Sequence, residues 1–166
     1  MELSYNSPIG TIILRGSKRG ISSLIFGDED PVGMESLGTK SIEVEGSVND
    51  GMASRCLQQL DEYFRKERKK FDLPLDLLGT EFQKKVWKEL LNIPYGKRIT
   101  YKELTLKLGN IKAIRAVAAA NGANPVSIIV PCHRVIGSDG SLVGYGGGLW
   151  RKQWLLDHEQ QDLSLF

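Results

Sequence analysis

Cys132, His133 and Arg134 follow Pro131 without interruption, putting a thiol, an imidazole and a guanidinium at one point of the chain. A thiol becomes a nucleophile where a neighbouring base or cation favours the thiolate. A cysteine also packs well as a small buried hydrophobe, and the local residues leave both readings open. Glu159 and Asp139 are the carboxylates that could orient His133, and their spacing does not choose between them. Adjacent side chains in a strand point apart, so a proton relay between Cys132 and His133 requires a turn here or a bridging water. A Cys-His-Glu set also fits a cysteine hydrolase, so the chemistry alone leaves more than one class of reaction open.

The elements around this point must position it. Ile128-Ile129-Val130 reads as a buried strand that Pro131 ends, because proline has no N–H for a ladder. Downstream, the loop Gly137 to Gly148 lacks both a dinucleotide fingerprint and a P-loop lysine, and its permissive backbone suits a pocket wall. A last helix runs from Leu149 to about Glu159, with Trp154 and Leu155 apolar. Upstream, Thr100 and Glu103 form a capping box for a helix reaching about Leu108 and stopping at Gly109-Asn110. A second helix begins near Ala113 and ends at Asn121-Gly122, so the pair matches a helix-turn-helix. Its residues are mostly alanine, with Arg115 almost alone among polar side chains. Such a helix can approach its own core closely, or a nucleic-acid backbone without reading sequence.

Thr80 and Gln83 make another capping box, opening a helix with the apolar stripe Phe82, Val86, Trp87, Leu90 and Leu91. Trp87 is read as core, and Asn92 to Gly96 as the turn that ends the helix. In the first half, Thr11 to Arg15 and Gly20 to Phe26 are strands joined by a hairpin loop at Gly16 to Arg19. Residues 27–50 read as a surface connection with one short strand. Leu57, Leu60 and Phe64 mark a helix from about Ala53 to Lys69, whose basic end, Arg65 to Lys70, is a solvated last turn. Leu73 to Gly79 is a linker. The expected fold is α+β: a lobe over residues 1–76 with a small antiparallel sheet and a helix, then a mostly helical lobe over 77–166 with the helix-turn-helix and a short active-site strand.

A chain of 166 residues is long enough for a real core. Residues 1–76 carry ten Lys/Arg against thirteen Asp/Glu, and residues 77–166 twelve against seven. The basic half holds Cys132, which fits an anionic partner there. Cys56 and Cys132 are the only cysteines, too few for a disulfide framework, so a reducing interior is expected and Cys56 reads as a buried helix residue. No apolar run approaches a membrane span and the first residues lack a signal-peptide layout, so a cytoplasmic location is expected.

Asn124-Pro125-Val126, Ile129 to Val135, Gly144-Tyr145, Gly147-Gly148-Leu149, Trp154-Leu155-Leu156 and His158-Glu159 together closely resemble the O6-alkylguanine-DNA alkyltransferases. The likeness runs without gaps from about Thr80 to Glu159, and Ser7 to Gly10 is similar more weakly. The resemblance implies a ribonuclease H-like first lobe and a DNA repair protein acting by direct reversal. It implies that Cys132 accepts the alkyl group, that His133 takes the thiol proton through a water, and that Glu159 orients His133. It further implies that Tyr101 donates to N3 of the leaving base and that Arg115 fills the gap left by a flipped nucleotide. Carbonyls of Cys132 and Val135 would face the guanine amino group and the N–H of Gly146 its O6; Asn124 would brace a turn and Tyr145 would wall the pocket. The partner implied is double-stranded DNA, met in the minor groove by a monomer, with no cofactor and no metal. Ser127 and Asn121 depart from residues found in some relatives.

Overall fold

The structure is a computed structural model that describes residues 2–29 and 50–160. It divides into two compact units: Met1–Gly79 with Pro125–Ile129, and Thr80–Asn124 with Val130–Phe166.

In the first unit β1 (Glu2–Ser7), β2 (Gly10–Ser17) and β3 (Gly20–Phe26) form an antiparallel sheet in that order. β1 is an addition to the two expected strands; its mixed residues, Glu2-Leu3-Ser4-Tyr5, carry no β-branched run. Ile12, Ile13 and Leu14 are all buried, as suits a central strand covered on both faces. The next helix, α1, spans Asp50–Phe64. Its buried face is Ala53, Cys56, Leu60 and Tyr63, spaced as one stripe of a 3.6-residue helix. The expected Leu57 and Phe64 lie to its side, half-buried. The helix also stops earlier than expected. Lys66 sits at φ 63° beyond its end, and the basic run is held by local acids instead of by the helix terminus. Arg65 pairs with Asp61 at 3.1 Å and Arg68 with Glu62 at 3.0 Å.

The expected linker is partly built into the unit: Ile21 N–H donates to the Pro74 carbonyl and Asp76 N–H to the Ile21 carbonyl, each at 2.8 Å. Gly20 is required there, since a Cβ would stand 2.5 Å from the Pro74 oxygen. Most of the expected 27–50 connection, with its short strand, lies outside the described residues.

In the second unit, α2 (Glu81–Leu90) and α3 (Tyr101–Lys107) each start on the expected capping box, Thr80 with Gln83 and Thr100 with Glu103. On α2 only Val86, Trp87 and Leu90 are buried; Phe82 and Leu91, expected in the stripe, are exposed. A hydrogen bond of 2.8 Å from Trp87 Nε1 to the Ala120 carbonyl ties α2 to α4 (Ile114–Gly122). α3 ends at Gly109, whose φ of 97° is the left-handed stop of a helix. A single 3-10 turn, Ile111–Ala113, then leads into α4. Two-residue strands β4 (Ile99–Thr100) and β5 (Val135–Ile136) pair in parallel, and α5 (Leu149–Glu159) closes the unit.

The expected strand at Ile128-Ile129-Val130 is a turn instead. Ile128 takes φ 73°, strained backbone for a β-branched residue, so the run cannot continue a ladder. In the first unit, Val126 makes an isolated bridge to Leu24, and the paired strand beside the cysteine is β5, after Cys132 and not before it.

Candidate active site

Cys132–Arg134 form one turn of 3-10 helix between Pro131 and β5. This is the turn that a relay between neighbouring side chains requires. Val135 N–H donates back to the Cys132 carbonyl, and Cys132 N–H donates to the Val130 carbonyl at 2.8 Å. Asn124 donates from Nδ2 to the same Val130 carbonyl at 2.8 Å, so the end of α4 and the cysteine turn share an anchor.

His133 is wholly buried, and its Nε2 lies 2.7 Å from Glu159 Oε2. Arg134 grips the same carboxylate with two bonds, Nε to Oε1 at 2.7 Å and Nη2 to Oε2 at 3.0 Å, and donates from Nη1 to the Ile93 carbonyl at 2.6 Å. Burial alone would push the Glu159 carboxyl up, but His133 and Arg134 outweigh it and hold the group well below the usual carboxylate range. Glu159 is therefore ionised, and Nε2 of His133 must carry the proton that it accepts. Burial pushes the imidazole below its ordinary value, against the pull of Glu159, so the ring is neutral at pH 7. Its remaining nitrogen, Nδ1, is buried with no hydrogen-bond partner. The ring can thus take a proton at Nδ1 while Glu159 stabilises the imidazolium. Asp139, the other candidate carboxylate, lies elsewhere: it is exposed and accepts from Ser141 N–H at 3.0 Å within its own loop.

Tyr101, at the start of α3, donates from its hydroxyl to the Val143 carbonyl at 3.0 Å. Burial raises its pKa, with Asn121 opposing, so the phenol keeps its proton at neutral pH. Tyr101, Ile114, Arg115, Ala118, Val143 and Gly144 line a cavity of about 320 Å3. Arg115 is exposed on α4 with Ala116 and Ala119, whereas Val117, Ala120 and Asn121 turn inward. Tyr145 is half-buried and Gly146 exposed; both stand just past the cavity-lining Gly144 and do not line the cavity themselves. Cys132 also lies outside that lining, and Asn121 links it to Tyr101. Nδ2 of Asn121 lies 3.2 Å from the Tyr101 hydroxyl and 3.4 Å from the Cys132 carbonyl.

Lys152 was not singled out by the sequence. It is fully buried on α5, donates to the Val143 carbonyl at 2.9 Å, and stands 5.6 Å from the Tyr101 ring centroid. Burial pulls its pKa down to about 8, with the charge of Cys132 opposing, so ammonium and thiolate favour each other. The signal was present: Lys152, Leu155, Leu156 and Glu159 fall on one helical face, which the structure buries throughout. Cys56, in the first unit, has its thiol pushed up to about 12 by burial and is unreactive by that measure.

Residues 2–77 match the family model for the ribonuclease-like domain of 6-O-methylguanine DNA methyltransferase, and residues 81–161 match the model for its DNA binding domain. The chain is 45% identical to the methylated-DNA--protein-cysteine methyltransferase of Methanosarcina barkeri, over 95% of each chain. It is 43% identical to that of Mycobacterium leprae, over 96% of this chain and 92% of the relative. Crystallised Mycobacterium tuberculosis O6-methylguanine methyltransferase superposes with a TM-score of 0.81 at 41% identity, covering 99% of this chain and 98% of that one. The structure of Mycobacterium tuberculosis OGT in complex with DNA gives 0.77 at 42% identity, covering 98% and 97%. Two domain models in sequence and relatives matched over nearly their full length make this chain a member of the 6-O-methylguanine DNA methyltransferase family.

Proposed function

We propose that this chain repairs DNA by direct reversal, moving the alkyl group of O6-methylguanine, and of O4-methylthymine, irreversibly onto Cys132. The observation that carries the reading is the buried His133–Glu159 pair, with Nδ1 left as acceptor, on the residue that follows the cysteine. The thiol proton passes to Nδ1 through a water. Sγ then bonds the alkyl carbon as the carbon–O6 bond breaks, and the bonding pair stays with guanine. Tyr101 gives its proton to N3 of that base as the charge develops, and the proton held by His133 passes through solvent to the Tyr101 oxygen, restoring both residues. Substitution at an alkyl carbon by a thiolate draws on no cofactor. The product is a thioether, which has no good leaving group, so each molecule acts once.

DNA is the partner. The cavity beside Tyr101, at about 320 Å3, is in the range of sites for one small molecule, and a damaged base reaches it by being flipped out of the duplex. The exposed alanines of α4 let the helix backbone lie close to the minor groove without reading sequence, and Arg115 fills the stack. Asn124 braces the turn before the cysteine. On this reading the carbonyls of Cys132 and Val135 and the N–H of Gly146, with Tyr145, meet the guanine edge from beside the cavity, next to its lining residues Tyr101 and Gly144. On the same reading the protein acts as a monomer in the cytoplasm. Among the described residues no helix is long and apolar enough to cross a membrane.

The test is incubation with duplex carrying O6-methylguanine labelled on the methyl group. One covalent label per molecule is expected, and none after Cys132→Ala. Binding without transfer would indicate a lesion-recognition protein, and repeated turnover with free product a hydrolase.

A further inference from the structure

Asn121 is buried on the inward face of α4, and its environment fixes which way its amide points. The atom near the Cys132 carbonyl must be the nitrogen, because two oxygens there would repel. The two amide hydrogens are then directed to the Tyr101 hydroxyl and the Cys132 carbonyl, at 3.2 and 3.4 Å. Oδ1 is left buried with no hydrogen-bond partner. A buried acceptor without a donor is destabilising, and an apolar side chain of the same size would remove that penalty. Packing alone therefore gives no reason for asparagine at this position.

Building on the alkyl-transfer reading above, we infer that Asn121 is a positioning residue for Tyr101, holding its hydroxyl as a proton donor toward the leaving base. A tyrosine hydroxyl carries one proton and two lone pairs. The amide of Asn121 occupies the acceptor side, so the proton is directed away from it. In the free protein that proton rests on the Val143 carbonyl. Val143 also accepts from Lys152, so the hydroxyl can turn its proton to the base without stranding that carbonyl. As the proton leaves Tyr101 for N3, negative charge grows on the phenol oxygen, and the Asn121 N–H strengthens against it. The same bond opposes the rise that burial gives the Tyr101 pKa. The second N–H, on the Cys132 carbonyl, ties the donor to the backbone of the nucleophile.

The experiment is a double-mutant cycle on single-turnover transfer from duplex O6-methylguanine, with urea unfolding of each variant. Asn121→Leu should unfold no more easily than wild type and transfer roughly tenfold more slowly, the loss of one hydrogen bond in the transition state. In a Tyr101→Phe background the same substitution should cost nothing further, because the hydroxyl it serves is gone. Asn121→Met is the second variant, with a more adaptable side chain. Wild-type rates in both variants would overturn the inference, as would losses that multiply with Tyr101→Phe or that accompany equal destabilisation in both. Failure of wild type to take up the label is a separate outcome that removes the alkyl-transfer reading itself.

Discussion

His133 Nε2 and Glu159 Oε2 lie 2.7 Å apart between two side chains that solvent scarcely reaches, 0% and 1% exposed. Arg134 closes on the same carboxylate, so three buried groups share one compensated charge. Removing one member of such a set leaves the others unpaired in a poor dielectric. Glu159→Gln should therefore cost about 3–5 kcal/mol of stability, measured by urea unfolding at pH 7. The carboxyl is depressed in the fold, so its contribution is present above the unfolded value of about 4.3 and is lost as pH falls toward the folded one. The gap between wild type and variant should narrow below about pH 4.

The pH dependence of transfer follows from the imidazole. His133 is held below its ordinary 6.5 by burial, so it stays a neutral base at pH values where a free histidine is protonated. The acid limb of the single-turnover rate should lie below pH 6.5. A limb at or above that value would mean that the ring is not the base.

Both capping boxes and the helix-turn-helix spacing were legible because caps and breakers are local signals. A turn at Cys132 was one of two ways, with a bridging water, to a relay between adjacent side chains, though its 3-10 form was not readable. Glu159 and Asp139 could not be told apart, since the choice depends on where α5 packs. The Ile128 to Val130 run misled: its composition favours a strand, but a left-handed residue at Ile128 turns the chain. Lys152 lay on a face whose helical period was readable, but a lysine there does not announce its burial. Asn121 stood out only as a departure from some relatives, and its links to Tyr101 and Cys132 are set by packing. On α1, Leu57 and Phe64 were apolar but Cys56 and Tyr63 held the buried face, a phase that sequence alone leaves ambiguous.

Arg115 is exposed on α4 and lines the cavity with Tyr101. Its proposed role exists only in duplex, where extruding a base costs a few kcal/mol. Arg115→Ala should slow transfer from duplex by roughly 100-fold while leaving transfer from a free O6-alkylguanine base within about twofold. Equal losses on both substrates, in matched single-turnover assays, would remove the flipping role.

Lys152 shares the sign of linkage with Glu159, stability rising with pH, but here it is the charged form that the fold disfavours. Its folded pKa of about 8 lies below the ordinary lysine value of 10.5, because burial disfavours the ammonium. Below pH 8 the charge is present in both states and the burial penalty is complete. Between pH 8 and about 10.4 the unfolded chain binds the proton more tightly, so stability should rise with pH across that window. The rise is on the order of 3 kcal/mol at most. Lys152→Met removes the titrating group and keeps an unbranched side chain of similar length. The variant should be more stable than wild type at pH 7, and this advantage should shrink by pH 10, as read from urea midpoints at both values. Because the ammonium also favours the Cys132 thiolate, the same variant should transfer more slowly at pH 7 in spite of its added stability. A variant that gained stability with no loss of rate would show that Lys152 fills space beside Tyr101 without supporting the nucleophile.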